Sequence, residues 1–318
     1  MNRFKMSNAL VKNLASHERG GRRAGEMNVP DRIDAGSNCS ATMFSVPVVA
    51  VPRQAPAREG MADLGPVRLW HWDTGGGGEA VVLMHPVVGS GAMWLYQQPA
   101  LAAAGYRVIG YSRRGHYRSE AGPQNDPGTA AGDLRALLDY LGLERVHLIG
   151  SAAGGFAAAD FAITFPERLS SLTLATSLVA VQDASYMAAT APLRPHAFEN
   201  LPREFREIGP AYRAENPEGL ALWLAMTGEA VATPVKQAFA SALDLASLAM
   251  LDLPVLVLAS DADMYAPPPV MKRLADVIPG ARVALVRGAG HSAYWEQPQA
   301  FNDAVLGFLD SVRTSRLR

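Results

Sequence analysis

From Val67 onward the chain alternates short β-branched runs with longer helical stretches, and this alternation limits its fold more than any other feature. Candidate strands are residues 67–72, 80–85, 106–111, 145–150, 171–176, 254–259 and 282–287. Several are apolar almost throughout, as strands covered by helices on both faces must be. Helical stretches at 92–104, 127–141, 153–165, 268–278 and 298–312 fill the gaps. The order predicts an α/β fold: a mostly parallel central sheet, joined by right-handed crossovers and flanked by helices. Residues 75–78, all glycine, predict a hairpin loop between the first two strands.

Segment 177–249 is too long for a structureless loop inside a compact domain. Helical signals at 201–208 and 217–226, broken by Pro and Gly, predict a helical cap inserted over a core of 61–176 and 250–318. Met187, Phe198, Phe205, Tyr212, Trp223, Met226 and Phe239 are expected to pack cap against core, some of them lining an apolar pocket at the junction.

Residues 1–60 are rich in charge, Gly and Pro and show little periodicity. They predict a weakly structured arm, or an upstream extension of the reading frame with Met61 as an alternative start. The other reading is an arm that docks on the body or on a second subunit, which would suit a homodimer. Arg22 and Arg23 resemble a twin-arginine export signal, but no uninterrupted apolar region follows them. With no apolar run of membrane-spanning length, the expectation is a cytoplasmic protein with no membrane partner. A net charge of −1 gives no reason to expect nucleic acid, and a lone Cys39 argues against both a disulfide framework and a thiolate metal site.

The chemistry begins at Gly150-Ser151-Ala152-Ala153-Gly154, where a strand ends and a helix opens. The glycine spacing matches a nucleophile elbow, G-x-S-x-G, a strained turn in which small residues let strand and helix approach. The apex should be serine, cysteine or aspartate; it is Ala152, whose side chain has no lone pair. Ser151 is one residue away from the apex and reads as a small flanking residue.

Two later loops complete a constellation. Ser260-Asp261-Ala262-Asp263 follows a strand, and an acid there can orient a histidine; Asp263 is the candidate, with Asp261 the fallback. Gly288-Ala289-Gly290-His291 follows the next strand and supplies His291 as general base. The chain order of nucleophile position, acid and histidine fits one hydrolytic triad. An oxyanion donor pair would come from the N–H of Ala153 and from the loop 85–91. Pro86 has no N–H, which leaves Val87 as the second donor. His85 is expected to hold that loop by hydrogen bonds rather than to act as a base.

From about Met61 the sequence resembles the α/β-hydrolase superfamily, in the branch with a helical cap. The resemblance is carried by the 85–91 loop, the Tyr111-Ser112-Arg113-Arg114-Gly115 turn, the elbow at Ala152, and Gly290-His291 followed by Trp295-Glu296-Gln297-Pro298 and Phe301-Asn302. Two residues depart from the pattern: Pro86 replaces the usual oxyanion-loop glycine, and Ala152 replaces the nucleophile. An intact acid, base and oxyanion loop around that alanine favour an inactive serine-to-alanine variant over a retired binding protein.

The resemblance implies ester hydrolysis through an acyl-enzyme, on a small-molecule ester of an aromatic or apolar acid, with no metal or organic cofactor. Residues 89–94, Trp295 and Phe301-Asn302 are also similar to the carbon–carbon hydrolases of ring-cleavage products, although Ser151 stands where that family has asparagine. Monoalkyl phthalate-type monoester hydrolases resemble the same branch. Expected substrate-binding residues are Trp94, Arg113, Trp223, Met226, Tyr265 and Trp295, with Arg114 or Arg194 as further cations for an acidic substrate. A ligand-binding protein on a hydrolase scaffold is the alternative of a different class.

Overall fold

The computed structural model describes residues 47–316. The part of the N-terminal arm before residue 47 lies outside them. Eight strands form one sheet: β1 (Arg58–Asp63), β2 (Arg68–Asp73), β3 (Ala80–Met84), β4 (Arg107–Tyr111), β5 (Val146–Ser151), β6 (Leu169–Ala175), β7 (Val255–Ser260) and β8 (Arg282–Val286). Their spatial order is β1-β2-β4-β3-β5-β6-β7-β8. β1 and β2 are antiparallel, as are β2 and β4, and every other pairing is parallel. β3, β5, β6 and β7 are buried along their whole length, which explains their unbroken apolar sequences.

Helices Ala130–Tyr140 and Ala153–Thr164 pack against each other, the latter on β5 and β6; Gln97–Ala103 packs with the long Pro298–Arg316. The chain steps outward from β3 to β4 and then crosses back over β3 to β5. Loops leaving the carboxyl ends of β3 and β5 therefore diverge, and such a switch point opens a crevice in a parallel sheet. Residues 85–91 and Ala152 stand at that place.

Three expectations are corrected. The 75–78 loop is not a hairpin, because β4 lies between β2 and β3. Its start pairs with β4 instead: Thr74 N–H donates to the Val108 carbonyl and Val108 N–H to the Thr74 hydroxyl. Gly78 passes so close to Gly105 that a Cβ would overlap the Gly105 carbonyl oxygen. The second correction concerns the arm boundary at residue 60. β1 begins at Arg58, and residues before it are tied to the body: Gln54 Nε2 donates to the Leu95 carbonyl, and Gln98 exchanges hydrogen bonds with the Ala55 backbone. Third, the stretch 92–104 divides into a 3-10 turn, Gly91–Met93, and the helix Gln97–Ala103.

Between β6 and β7 lie five short helices: Ala184–Thr190, Arg203–Glu207, Pro210–Glu215, Pro217–Gly228 and Leu245–Leu248. This helical insertion is fastened to the body at several points. Ala232 and Thr233 N–H both donate to the Gly115 carbonyl, and the Asp160 carboxylate accepts from the N–H groups of Ala240 and Ser241. No helix among the described residues is long and apolar enough to cross a membrane.

Candidate active site

The turn at Ala152 is as strained as its sequence suggests. Ala152 has φ 51° and ψ −119°, a backbone conformation that L-residues rarely adopt. Neighbouring glycines permit it: a Cβ at Gly150 would press on the Gly154 carbonyl, and one at Gly154 would overlap the Met84 carbonyl oxygen at the end of β3. Ser151 is the last residue of β5 and is 1% exposed, away from the turn's apex.

His291 is held by its ring and on both sides of its backbone. Its Nδ1 lies 2.9 and 3.0 Å from the two Asp263 oxygens. Asp263 is buried and also accepts from the N–H groups of Tyr265 and Ala266, which fixes the carboxylate's orientation. Burial pulls the proton affinity of His291 down, but the charge of Asp263 and its hydrogen bond outweigh this and raise the pKa to about 8. Such an imidazole can take a proton at Nε2 and keep it long enough to pass it on. Asp261, the fallback acid, accepts from Gly288 N–H at 2.7 Å as a turn residue.

Three consecutive residues at the end of β6, Ala175, Thr176 and Ser177, join the two halves of the site. Ala152 N–H donates to the Ala175 carbonyl at 3.0 Å, and the Ser177 hydroxyl donates to the Ala152 carbonyl at 2.6 Å. Between them, Thr176 donates from its hydroxyl to the His291 carbonyl at 2.9 Å. Thr176 itself has φ 47°, a costly conformation for a β-branched residue.

His85 fastens the loop after β3. Arg113 N–H donates to its Nε2 at 3.0 Å, so Nδ1 carries the proton and donates to the Pro86 carbonyl at 2.8 Å. Burial first, and then the charges of Arg113 and His116, hold its pKa well below the ordinary value, so the ring is neutral. Val87 follows, with its carbonyl oxygen 3.1 Å from His116 Nε2. Ala153 opens its helix, where the first N–H groups have no intrahelical acceptor, and Val87 is exposed on the loop.

Of the expected substrate contacts, Tyr265 is beside the site, its ring centroid 4.5 Å from that of His291. Trp94, Trp223 and Trp295 are at most 1% exposed and form packing walls, not an open surface. Trp94 packs on Tyr294, and Trp295 donates to the Gly219 carbonyl across the insertion. Met226 is half-buried on the helix Pro217–Gly228. Arg113 donates to the His85 carbonyl and has no carboxylate partner within the described residues. Arg114 is buried and holds Asp133 through two hydrogen bonds of 2.7 Å from Nε and Nη2, which commits its charge to that carboxylate and leaves only Nη1 without a partner. Arg194 lies over the Tyr265 ring and pairs with Glu199.

Two acids were missed in the sequence. Glu296 is fully buried; its carboxylate accepts the N–H groups of Gly290 (2.9 Å) and Ser292 (3.2 Å), the two neighbours of His291, and that of Gly209 (2.7 Å) in the insertion. Burial raises its pKa to about 7 against the opposing pull of these donors. Its motif position was visible, but its role was not. Glu207, on the insertion, gave no signal at all. Among the described residues, no three His, Cys, Asp or Glu side chains converge as a metal site would need.

The profile described as "alpha/beta hydrolase fold" matches residues 79–209, and one described as "TAP-like protein" matches 227–316. The chain is 32% identical over 249 residues to a putative carbamate hydrolase RutD of Caulobacter sp. (strain K31), covering 73% of this chain and 90% of that protein. It is 28% identical over 277 residues to a 2-hydroxy-6-oxononadienedioate/2-hydroxy-6-oxononatrienedioate hydrolase of Paraburkholderia phymatum, covering 76% and 91%. Among solved structures, a thermophilic esterase from Thermogutta terrifontis aligns with a TM-score of 0.64 at 26% identity, covering 80% or more of both chains (81% and 99%).

Proposed function

The chain belongs to the α/β-hydrolase family, and on that premise we propose that it carries the machinery of a serine carboxylic-ester hydrolase whose nucleophile position is occupied by Ala152. The observation that carries this reading is the pairing of Asp263 with His291 at 2.9 Å, with His291 and Ala152 both tied to residues 175–177. With a serine hydroxyl at position 152, His291 takes its proton as it attacks the ester carbonyl, and Asp263 holds the imidazole tautomer and stabilises the imidazolium. The N–H groups of Val87 and Ala153 receive the oxyanion. His291 then protonates the leaving alcohol and activates water against the acyl-enzyme. With alanine there, the pocket binds an ester and leaves it whole.

The putative carbamate hydrolase and the 2-hydroxy-6-oxononadienedioate hydrolase among its relatives put carbamate and carbon–carbon bond hydrolysis beside ester hydrolysis as uses of the same centre. The esterase neighbour and the Ser151 next to the apex favour the ester. A second reading rests on Ala152 itself: a native alanine makes the protein a ligand binder. The deciding experiment is Ala152→Ser, assayed with the unmodified protein on short and aromatic esters. Turnover only in the serine form supports the hydrolase. Ligand binding by both forms with turnover by neither supports the binder.

A further inference from the structure

Glu207 ends the short helix Arg203–Glu207 and is 4% exposed. Main-chain bonds fix its place beside the reacting centre. Its carbonyl accepts Ser292 N–H at 3.0 Å, one residue beyond His291, and two residues later Gly209 N–H donates to Glu296. Gly209 and Gly290 touch backbone to backbone: a Cβ at Gly290 would press on Gly209 N, and one at Gly209 on Gly290 N.

The side chain has no such partners. Its Oε2 is buried and accepts no hydrogen bond within the described residues. Nearby cations make their hydrogen bonds to other groups, although Arg206 Nε is itself buried without a partner. Arg206 pairs with Glu199 at 2.8 Å and donates to the Tyr265 hydroxyl; Arg194 also pairs with Glu199; Arg203 donates to the Thr227 carbonyl. Burial pushes the pKa of the Glu207 carboxyl up, and the charges of His291, Asp263, Arg206 and Arg203 all act on it, in keeping with its backbone place beside His291. A buried carboxyl oxygen costs stability unless something pairs with it, so this oxygen is free to accept from a group brought into the site.

We propose that the Glu207 carboxyl is a specificity-determining group: it accepts a hydrogen bond from a hydroxyl or N–H of the substrate, and it turns away substrates with a carboxylate at that point. The proposal rests on Ala152 and His291 marking the reacting centre. It makes the pocket selective for neutral esters bearing a donor rather than for the half-esters of diacids.

Because Ala152 leaves esters intact, the test can be done by titration calorimetry on the full chain without turnover. The probes are three near-isosteric aromatic esters, in para and meta forms: methyl (hydroxymethyl)benzoate, methyl ethylbenzoate and the monomethyl ester of the matching benzenedicarboxylic acid. The unmodified protein should bind a hydroxymethyl ester roughly tenfold more tightly than its ethyl counterpart, about the worth of one hydrogen bond to a charged acceptor. Glu207→Leu should erase that preference. Glu207→Gln should keep part of it through the amide oxygen, and both variants should gain affinity for the half-ester. Both should also melt at least as high as the parent, since they remove an unpartnered buried acid. An unchanged hydroxymethyl-to-ethyl ratio in Glu207→Leu, with binding retained, overturns the proposal and leaves the reacting centre standing. Lower melting in both variants with unchanged ratios assigns Glu207 a structural role and overturns it too. Failure of every ester to bind every form overturns the assignment of the centre, and the proposal falls with it.

Discussion

The Glu296 carboxylate accepts the Gly290 N–H at 2.9 Å, one residue before His291. The same carboxylate takes the N–H on the other side of His291 and one from the insertion, so a single buried group sets the histidine's backbone. Glu296→Ala strands two buried donors, the N–H groups of Gly209 and Gly290, while Ser292 keeps the Glu207 carbonyl, and should cost about 3 kcal/mol or more in urea unfolding. Glu296→Gln keeps one oxygen but turns an NH₂ toward a donor, and should cost roughly half as much. An equal loss in the two variants would mean that packing, not hydrogen bonding, is the residue's contribution.

In the Ala152→Ser protein the active form of His291 is neutral. With its pKa raised to about 8, kcat/KM on an ester should climb through that pH and level off above it. Folding stability runs the other way. A histidine whose folded pKa exceeds its ordinary 6.5 adds stability that is fully present below 6.5 and lost as pH rises through about 8. Rate and denaturation profiles measured on one preparation should therefore slope in opposite directions across that window.

Asp263→Asn, in the same serine background, leaves the shape but loses the charge and favours the wrong imidazole tautomer. Turnover should fall by roughly ten-thousandfold. The inflection in the pH profile should move down from about 8, because burial then acts on His291 without its main counterweight. A profile that kept its inflection would assign the shift to another acid.

Gly154→Ala drives a methyl into the Met84 carbonyl, with backbone on both sides of the clash. The expected cost is about 3 kcal/mol, read from the denaturation midpoint. The damage should reach the loop after β3 that Met84 leads into, so ligand affinity should weaken along with stability.

Asp133→Ala leaves the buried Arg114 guanidinium without its carboxylate and frees Gln237, which donates to the same acid from the insertion. Losing one partner of a buried pair costs about 4 kcal/mol. Asp133→Asn should recover only part, since one guanidinium bond would still face an amide NH₂.

Much of this site was legible because each piece is local. Gly150 and Gly154 bracket a turn within five residues, and His291 closes a short loop after an obvious strand. The sheet was harder wherever neighbours come from afar. β1, Arg-Glu-Gly-Met-Ala-Asp, is mostly exposed and has no apolar alternation to announce it. The 75–78 loop looked like a hairpin because nothing in it tells that β4, some thirty residues on, takes the intervening place. Trp94, Trp223 and Trp295 look alike in sequence whether they line a pocket or wall it off. Glu207 was invisible for a different reason: residues 201–208 read as a helix of the cap with Phe205 as its packing residue, and nothing local tells that the chain beyond it meets Gly290 and buries its last carboxyl.

That contact also limits how the insertion can move. The insertion and the histidine loop are stitched by main-chain bonds at Ser292 and by the shared Glu296, with two glycines pressed together and no side chain between them. Lifting the insertion at this edge would drag His291 out of register with Asp263. Any movement of the insertion that keeps this pair together has to pivot at the edge beside His291.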